Sequence, residues 1–206
     1  MTFAKLKERL LYKFIREPAG YGRPVPAASF DEEYRSGSWD HFTSFAELPR
    51  TLVLAGAIHH FYPDQPAILD IGAGNGRLAV ALQPYHPGRY LGVDLSPEAV
   101  TRARALALPG MEFTAGNFET WRPAEKFDAI VFNESIGYAV DPAATFTAFA
   151  AHLKPAGKFF VSLYQSGNAA AQWRRIERAC VTREATTVTD RTGTKTWDVR
   201  ILEPRA

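Results

Sequence analysis

The chain has 206 residues, of which 46% are hydrophobic and 22% are charged, a composition typical of a globular domain rather than a disordered or fibrous protein. Its formal net charge of +2 is too small to indicate nucleic acid as a partner. No apolar run approaches the roughly 18 residues that cross a bilayer, and no signal peptide is recognisable. The single cysteine, Cys180, rules out an internal disulfide and favours a reducing, cytoplasmic location.

The first predicted element is a basic helix over residues 3–16. Leu6, Leu10 and Phe14 share one face of this helix, and lysine and arginine side chains surround that face. Two interpretations remain open: the helix lies on an anionic membrane or a partner protein, or it packs its leucines on its own domain. Residues 17–28 contain three prolines and two glycines and are predicted to form a linker.

The next segment, residues 30–45, is polar but carries many aromatic side chains, namely Phe30, Tyr34, Trp39, Phe42 and Phe45. These rings either anchor the N-terminal extension to the core of the protein or contact a ligand. Residues 47–61 are then predicted to form a helix.

A predicted strand at residues 67–71 ends in a glycine-rich turn, Gly72-Ala73-Gly74-Asn75-Gly76, and a helix follows. Glycine is needed where the backbone takes a positive φ or where a ligand approaches it closely, and the helix N-terminus presents free amide groups. A dinucleotide-binding turn would place its third glycine at position 77, which is Arg77. The Asp70 carboxylate behind the turn suits a ligand with an ammonium and a sulfonium better than one with a pyrophosphate.

The second predicted strand, residues 89–94, ends at Asp94, which lies 22 positions after Gly72. An α/β fold brings the ends of neighbouring strands together, so a carboxylate here can accept hydrogen bonds from both hydroxyls of a ribose. The alternative is that Asp94 caps the helix predicted at residues 97–107. Ser96 already fits that cap, with Pro97 at the first helical position.

The third predicted strand covers residues 111–115, and the fourth covers residues 127–132 and is apolar enough to be buried on both faces. Asn133, Glu134 and Ser135 follow the fourth strand directly. Open α/β sheets bind their ligands at the carboxyl ends of the strands, so substrate chemistry is expected at these residues. The alternative is that Asn133 or Ser135 caps a helix.

The remaining elements complete an α/β pattern. Residues 142–154 are predicted to form an amphipathic helix, residues 159–164 a fifth strand, and residues 168–180 another helix. Residues 181–189 and 196–202 read as a closing hairpin. The chain is therefore predicted to form a seven-stranded, mostly parallel sheet with helices on both faces and a C-terminal antiparallel hairpin.

The spacing Asp-x-Gly-x-Gly-x-Gly from Asp70 to Gly76 resembles the first motif of class I S-adenosylmethionine (SAM) methyltransferases. The order of strands and helices is similar, and the turn Leu153-Lys154-Pro155-Ala156-Gly157 is typical of that family. The resemblance covers about residues 45–204. It implies a Rossmann-like SAM-dependent methyltransferase domain at residues 45–206 and an N-terminal extension at residues 1–44, made of the basic helix, the linker and a candidate cofactor lid.

This resemblance implies SAM as the cofactor and S-adenosyl-L-homocysteine (SAH) as its product. The residues expected to bind the cofactor are Asp70, Gly72, Ala73, Gly74, Gly76, Asp94, Leu95, Asn117, Phe118 and Asn133. Asn117 follows the third strand, where the family meets the amino group of adenine, and Phe118 is expected to cover the ring. Because family members often fold an N-terminal segment over the cofactor, Tyr34, Trp39 and Arg50 are further candidate contacts.

Methyl transfer is an in-line displacement at the sulfonium methyl group, so the protein must align the acceptor with that group and exclude water. A hydroxyl acceptor usually needs a positioned base, whereas a neutral amine does not. The candidate catalytic residues are Glu134 and Tyr138. The candidate substrate contacts are Ser135, Tyr164 and His41.

The short chain and its Asn-Glu-Ser-x-x-Tyr sequence resemble small methyltransferases similar to the nodulation protein that N-methylates a chitooligosaccharide. This likeness implies methylation of an oxygen or nitrogen atom of a polar small molecule, with saccharides among the candidates. The chain departs from that pattern at Asn133, where a small residue is expected, and at Ile136 and Gly137, where bulkier residues are expected. The oligomeric state stays open.

Two other functions remain as alternatives. One is an NAD-dependent oxidoreductase, against which stand Arg77 and the lack of a Tyr-x-x-x-Lys sequence. The other is a non-catalytic SAM-binding regulatory partner. No metal site is expected, because the five histidines and one cysteine show none of the zinc-binding spacings.

Overall fold

The computed structural model describes Lys7 and residues 10–205, and it contains one seven-stranded sheet. The strands are β1 (Ala67–Ile71), β2 (Arg89–Asp94), β3 (Met111–Ala115), β4 (Phe127–Asn133), β5 (Leu153–Tyr164), β6 (Cys180–Thr189) and β7 (Thr196–Pro204). Their order across the sheet is β3-β2-β1-β4-β5-β7-β6. Strands β1 to β5 pair in parallel, whereas β7 runs antiparallel to both β5 and β6. The predicted fold class is confirmed.

Helices cover both faces of the sheet. They are α1 (Ala27–Arg35), α2 (Leu48–Phe61), α3 (Arg77–Leu82), α4 (Pro97–Ala105), α5 (Pro142–Ala150) and α6 (Ala169–Ala179). Successive side chains of a strand point to opposite faces, and Leu69 accordingly joins a core built with α5 and α6. Its neighbour Ile68 joins a second core built with α2, α3 and α4. Burial on both faces explains why the central strands are continuous apolar runs.

The direction in which strands are added reverses at β1. From β1 the chain builds β2 and β3 on one side, and it then returns to place β4 on the other side. Ile71 at the carboxyl end of β1 pairs with Val93 of β2 and with Phe132 of β4. Such a reversal opens a crevice at the carboxyl edge of an α/β sheet, which is where ligands of these folds bind.

Several predicted boundaries differ from the structure, three of them because of turn geometry. The helix predicted at residues 142–154 ends at Ala150, and β5 begins at Leu153, six residues before its predicted start at residue 159. Leu153 pairs with Phe127 and pairing resumes after a register shift, so the Lys-Pro-Ala-Gly turn is an irregularity within β5. The helix predicted at residues 97–107 ends at Ala105, since Ala107 takes a φ of 50° that a right-handed helix cannot continue.

The prediction of a basic helix over residues 3–16 falls partly outside the described residues. Within the described part, Tyr12–Arg16 form a short π-helix. Leu10 is 46% exposed and Phe14 is 67% exposed. The interpretation that this face packs on its own domain is therefore wrong for these two residues.

The predicted linker is shorter than expected, because α1 begins at Ala27. It lies against the domain rather than away from it. The Arg175 Nε of α6 donates a hydrogen bond to the Ala19 carbonyl at 2.6 Å, and its guanidinium lies 3.2 Å from the centre of the Tyr21 ring. The Gly22 N–H donates to the Ala139 carbonyl at 2.8 Å. These contacts fix the path along which the chain enters α1.

Candidate active site

A cavity of about 290 Å³ lies at the carboxyl edge of the sheet, between the strand ends and helix α1. It brings together residues that are far apart in the sequence. The predicted site residues that line it are Tyr34, Trp39, Arg50, Asp70, Gly72, Ala73, Gly74, Asp94, Leu95, Asn117, Phe118, Asn133, Glu134, Ser135 and Tyr138. Their roles in binding or catalysis stay predictions, but their common location agrees with the expected crevice.

Three predicted site residues do not line this cavity. Gly76 starts α3 with a φ of 82° and faces the end of α4, so its position is explained by packing. His41 is exposed, and its Nδ1 lies 2.8 Å from the Ser38 carbonyl oxygen. The side chain of Tyr164 is directed elsewhere and is 41% exposed, although its backbone N–H reaches the site.

The turn after β1 has no room for a side chain at Gly72 or at Gly74. Gly72 has a φ of 74°, and a Cβ atom there would lie 2.3 Å from the Cβ of Ser135. The backbone N–H of Gly72 donates to the Val93 carbonyl at 2.7 Å. At Gly74, whose φ is 55°, a Cβ would lie 2.8 Å from the hydroxyl of Tyr34. Bare backbone is therefore required where β1, β2, β4 and α1 converge.

Asp70 is a buried carboxylate that is only half satisfied. It is 1% exposed, and its Oδ2 accepts a hydrogen bond from the Tyr90 hydroxyl at 2.6 Å. Its Oδ1 has no hydrogen-bond partner among the described residues. Burial raises the pKa of Asp70 to about 7, against the lowering effect of the Tyr90 hydrogen bond. A buried carboxylate with an unpaired oxygen beside a cavity fits a cationic group such as the ammonium of SAM.

Asp94 at the end of β2 holds the glycine turn in place. Its Oδ2 accepts from the Gly74 N–H at 2.8 Å, and its Oδ1 accepts from the Ser96 N–H at 2.9 Å. Burial raises the pKa of Asp94, and these two backbone hydrogen bonds oppose the effect. Each carboxylate oxygen keeps a further lone pair, so ribose binding remains a prediction. The predicted helix cap is confirmed, because Ser96 Oγ accepts from the Ala99 N–H at 3.1 Å.

Glu134 is held in a strained conformation directly after β4. Its φ of 62° is in the left-handed region, which costs free energy in a residue other than glycine. Its Oε1 accepts from the Ser162 hydroxyl at 2.7 Å, and its Oε2 accepts from the Tyr164 N–H at 2.9 Å. Burial raises the pKa of Glu134, while the Arg50 guanidinium and these hydrogen bonds oppose that shift. The carboxylate is therefore fixed in one position.

Arg50 links α2 to the end of β4. It is 4% exposed, and its guanidinium donates to the Asn133 side-chain oxygen and, at 3.3 Å, to a Glu47 carboxylate oxygen. Glu47 is also paired with the Lys195 ammonium at 2.8 Å. The Nε of Arg50 has no hydrogen-bond partner among the described residues. Arg50 and Lys195 together thus offset the negative charges of Glu47 and Glu134 at one end of the cavity.

Helix α1 covers the cavity and is fastened to the helix that follows β2. The Asp31 Oδ1 accepts from the Ser96 hydroxyl at 2.5 Å and from the Glu98 N–H at 3.2 Å. These hydrogen bonds lower the pKa of Asp31, with Ser96 the larger cause. Helix α1 therefore rests on the first turn of α4, next to Asp94.

Sequence reasoning did not assign several residues of the cavity wall. They are Pro24, Val25, Phe30, Phe42, Thr51, Asn75, Arg77, Leu78, Glu119 and Val140. The density of aromatic residues between positions 30 and 45 was a usable signal for Phe30 and Phe42. Asn75 and Arg77 belong to the predicted glycine turn or follow it directly. The remaining residues carry no pattern of their own, because only the folded chain brings them to the cavity.

Among the described residues, no group of three or more histidine, cysteine, aspartate or glutamate side chains could hold a metal ion. Within the same part of the chain, no helix is both long enough and apolar enough to cross a membrane.

Comparison with known proteins identifies the family. Residues 33–190 match the model of a methyltransferase-domain family, and this match covers more than half of the chain. The chain therefore belongs to that family, and its fold and cofactor class are those of the class I SAM-dependent methyltransferases. The NAD-dependent oxidoreductase alternative is wrong on this finding.

Individual relatives differ in their acceptors. The trans-aconitate 2-methyltransferase of Streptomyces coelicolor is 31% identical over 121 residues, which are 56% of this chain and 39% of that protein. The chain thus spans well under half the length of this curated relative. Two solved structures share the fold at low identity. The 1,6-didemethyltoxoflavin-N1-methyltransferase of Burkholderia thailandensis has a TM-score of 0.71 and 19% identity, and the match covers 87% of each chain. The N-methyltransferase NodS of Bradyrhizobium japonicum has a TM-score of 0.65 and 20% identity, and the match covers 81% of this chain and 92% of that one.

The predicted likeness to the nodulation methyltransferase is thus one among several. Its structure is a neighbour of this chain, but the sequence relatives include trans-aconitate 2-methyltransferases. The family is established, whereas the subfamily is not.

We predict that Gly72→Ala destabilises the protein by at least about 3 kcal/mol, because left-handed strain and a clash with Ser135 add together. Urea unfolding measures this loss. Gly110→Ala is the matched control, since Gly110 has a φ of 73° but nothing within 4 Å of the added Cβ. It is expected to cost only about 1–2 kcal/mol from the strain. Equal losses in the two variants would contradict the steric argument.

We further predict that SAH binding at pH 6 releases close to one proton. With a pKa of about 7, Asp70 is mostly protonated at pH 6, and a neighbouring ammonium favours its ionised form. Calorimetry in two buffers of different ionisation enthalpy measures the released protons. Asp70→Asn should bind SAH more weakly and release almost none.

The raised pKa of Asp70 also makes the stability of the folded protein depend on pH. The pKa of Asp70 is higher in the folded protein than in the unfolded chain, so the folded state binds the extra proton and stability falls as pH rises from about 4 to 7. Without ligand, Asp70→Asn should therefore raise Tm at pH 8 and have little effect at pH 4. A lower Tm at pH 8 would show that the carboxylate is stabilising.

Proposed function

We propose that residues 45–206 act as a SAM-dependent methyltransferase domain that methylates an oxygen or nitrogen atom of a polar small molecule, with saccharides among the candidates. In this proposal residues 1–44 form an extension that includes the cofactor lid, and the protein works in the cytoplasm. Support for the enzyme class comes from the family match over residues 33–190. Support for a reducing compartment comes from the single cysteine.

The observation that carries the proposal is the Oδ1 of the buried Asp70, which has no partner in the part of the chain that the structure describes. It lies beside a turn where Gly72 excludes any side chain. A ligand that approaches the bare backbone and places a cation near Asp70 satisfies both features. Asp94 at the end of β2 offers lone pairs to ribose hydroxyls, and Asn117 after β3 offers an amide to the edge of adenine.

When bound, SAM supplies an electrophilic methyl group on its sulfonium. The residues of the chain then have to hold the acceptor in line with that group and take up its proton where necessary. Glu134 is the candidate base, because burial raises its pKa and brings it closer to the working pH. Burial also raises the pKa of Tyr138, so its phenol stays protonated at neutral pH and can donate a hydrogen bond to the acceptor.

The test is methyl transfer, measured as SAH release from SAM with a panel of small hydroxyl and amine compounds. We expect turnover with at least one member of the panel. Glu134→Gln should lower kcat by about 100-fold or more for a hydroxyl acceptor, because the base is lost, and much less for an amine. Glu184→Gln, on the exposed part of β6, is the control and should leave kcat unchanged. A protein that binds SAH yet methylates nothing would favour the non-catalytic alternative.

We also propose that the N-terminal segment contacts an anionic membrane surface. Phe14 and Ile15 are 67% and 62% exposed, and Lys13 and Arg16 lie beside them in the same π-helix. Exposed apolar side chains flanked by cations are the composition that inserts at a lipid interface and is attracted to acidic headgroups.

We predict that the protein sediments with vesicles that contain phosphatidylserine and much less with vesicles of phosphatidylcholine alone. Replacing both Phe14 and Ile15 by serine should weaken sedimentation about tenfold or more, since their apolar area no longer enters the interface. Phe45→Ser is the control, because Phe45 is 84% exposed but lies outside this segment. Absence of the wild-type protein from the phosphatidylserine pellet would contradict the proposal and leave a protein partner as the alternative.

A further inference from the structure

The cavity has two chemically different sides. The side at the ends of β1, β2 and β3 carries the carboxylates of Asp70 and Asp94 and the amide of Asn117. The side formed by the lid and by the turn after β4 is aromatic, with the rings of Phe30, Trp39, Phe42 and Tyr138. The polar side matches the proposed cofactor. The aromatic side lies next to the end of β4, where the acceptor has to be held.

The four rings are arranged as connected flat surfaces. Trp39 is nearly parallel to Phe42, with ring centres 5.1 Å apart and an angle of 22° between the planes. Phe30 lies 6.3 Å from Trp39, and it meets Tyr138 edge to face at 5.2 Å and 85°. Aromatic rings attract further rings in these same offset and edge-on arrangements. This wall is therefore complementary to a planar ring.

The wall also has few hydrogen-bonding groups. Val25 and Val140 add only aliphatic side chains to it. The indole N–H of Trp39 is buried and has no partner among the described residues, which points to a ligand atom that accepts this hydrogen bond. A saccharide would bring several hydroxyls against Phe30, Phe42 and the two valines. These side chains have no group that pairs with a hydroxyl, so burying the hydroxyls there is costly.

We propose that the methyl acceptor is a planar aromatic or heteroaromatic molecule. Its ring lies against Phe30, Trp39 and Tyr138, it carries an atom that accepts a hydrogen bond from Trp39, and its reacting hydroxyl or amine faces the end of β4. This inference rests on the proposed function and narrows its acceptor class. A carbon–oxygen or carbon–nitrogen bond forms as the carbon–sulfur bond breaks, sulfur keeps that electron pair, and the proton of the acceptor passes to Glu134 or to water.

The experiment uses the full chain and two probe panels at equal concentrations. One panel contains hydroxyquinolines, catechols and aminopyrimidines, and the other contains glucosamine, chitobiose and deoxy sugars. Binding to the SAH-loaded protein is measured by calorimetry, and methyl transfer is measured as SAH release from SAM. We expect members of the aromatic panel to bind and to be methylated, and the sugars to do neither.

Variants of the wall separate ring recognition from cofactor binding. Phe30→Ala and Tyr138→Ala should raise the KM of an aromatic acceptor about tenfold, while the Kd of SAH changes less than about threefold. Trp39→Phe removes the indole N–H. It should weaken the binding of ring compounds that have an acceptor nitrogen more than the binding of those without one. Phe45→Ala replaces an exposed phenylalanine of the same segment and should change neither constant.

Three results would each overturn the inference and leave the proposed function standing. The first is methyl transfer to sugars alone, and the second is an unchanged KM in the wall variants. The third is SAH-loaded protein that binds no aromatic probe. A wild-type protein that does not bind SAH would contradict the proposed function itself.

Discussion

The close packing of the Gly72 turn between β2 and β4 is the constraint on which the rest of the site depends. The turn is hydrogen-bonded to Val93 of β2 on one side and touches Ser135 after β4 on the other. Because no side chain separates these strand ends, three strands end against one another and the floor of the cavity is bare backbone. The same turn carries Gly74, which lets the hydroxyl of Tyr34 approach from the lid.

Around that turn the carboxylates of Asp70 and Glu134 are paired in different ways. Asp70 and Glu134 both have raised pKa values because of burial. Both oxygens of Glu134 accept hydrogen bonds from the chain, whereas one oxygen of Asp70 accepts none within the described residues. A fully paired carboxylate is positioned by the fold, whereas the half-paired Asp70 keeps one oxygen that the proposed cofactor would complete. Departures of this kind from the usual rules of burial are characteristic of functional sites.

The lid is attached differently from the core it covers. Asp31 caps the first turn of α4, and the chain before α1 is held by Arg175, so both attachments are polar. Between them the contact with the cavity is made by aromatic rings. Polar contacts near the surface contribute little net stability compared with the buried apolar faces of α2 to α6. The segment over the cavity is therefore held by contacts that contribute less to stability than those of the core helices.

The local patterns of the sequence were sufficient for the sheet, most helices and the residues at the strand ends. Asp70, Gly72, Asp94 and Glu134 were predicted to lie at the strand ends, because strand and helix periods, glycine turns and capping residues are properties of neighbouring positions. The start of β5 at Leu153 was missed because it depends on pairing with β4, which no local pattern records. The pattern of the basic N-terminal segment alone could not show whether its apolar face packs on the domain or stays exposed. Exposure depends on whether other segments of the folded chain pack against that face.

What the sequence by itself determined is thus the order of the elements, the glycine turn and the acidic and amide residues that follow the parallel strands. The tertiary structure alone decided that Phe30, Phe42 and Val140 join the cavity wall while Gly76, His41 and Tyr164 do not line it. It also decided that the Arg50 guanidinium donates to the side chain of Asn133, which is 83 positions away in the sequence, and lies close to the Glu134 carboxylate. The physical reason is that a side chain's neighbours across the fold are set by the packing of whole helices and strands, whereas the sequence pattern records only the preferences of each segment.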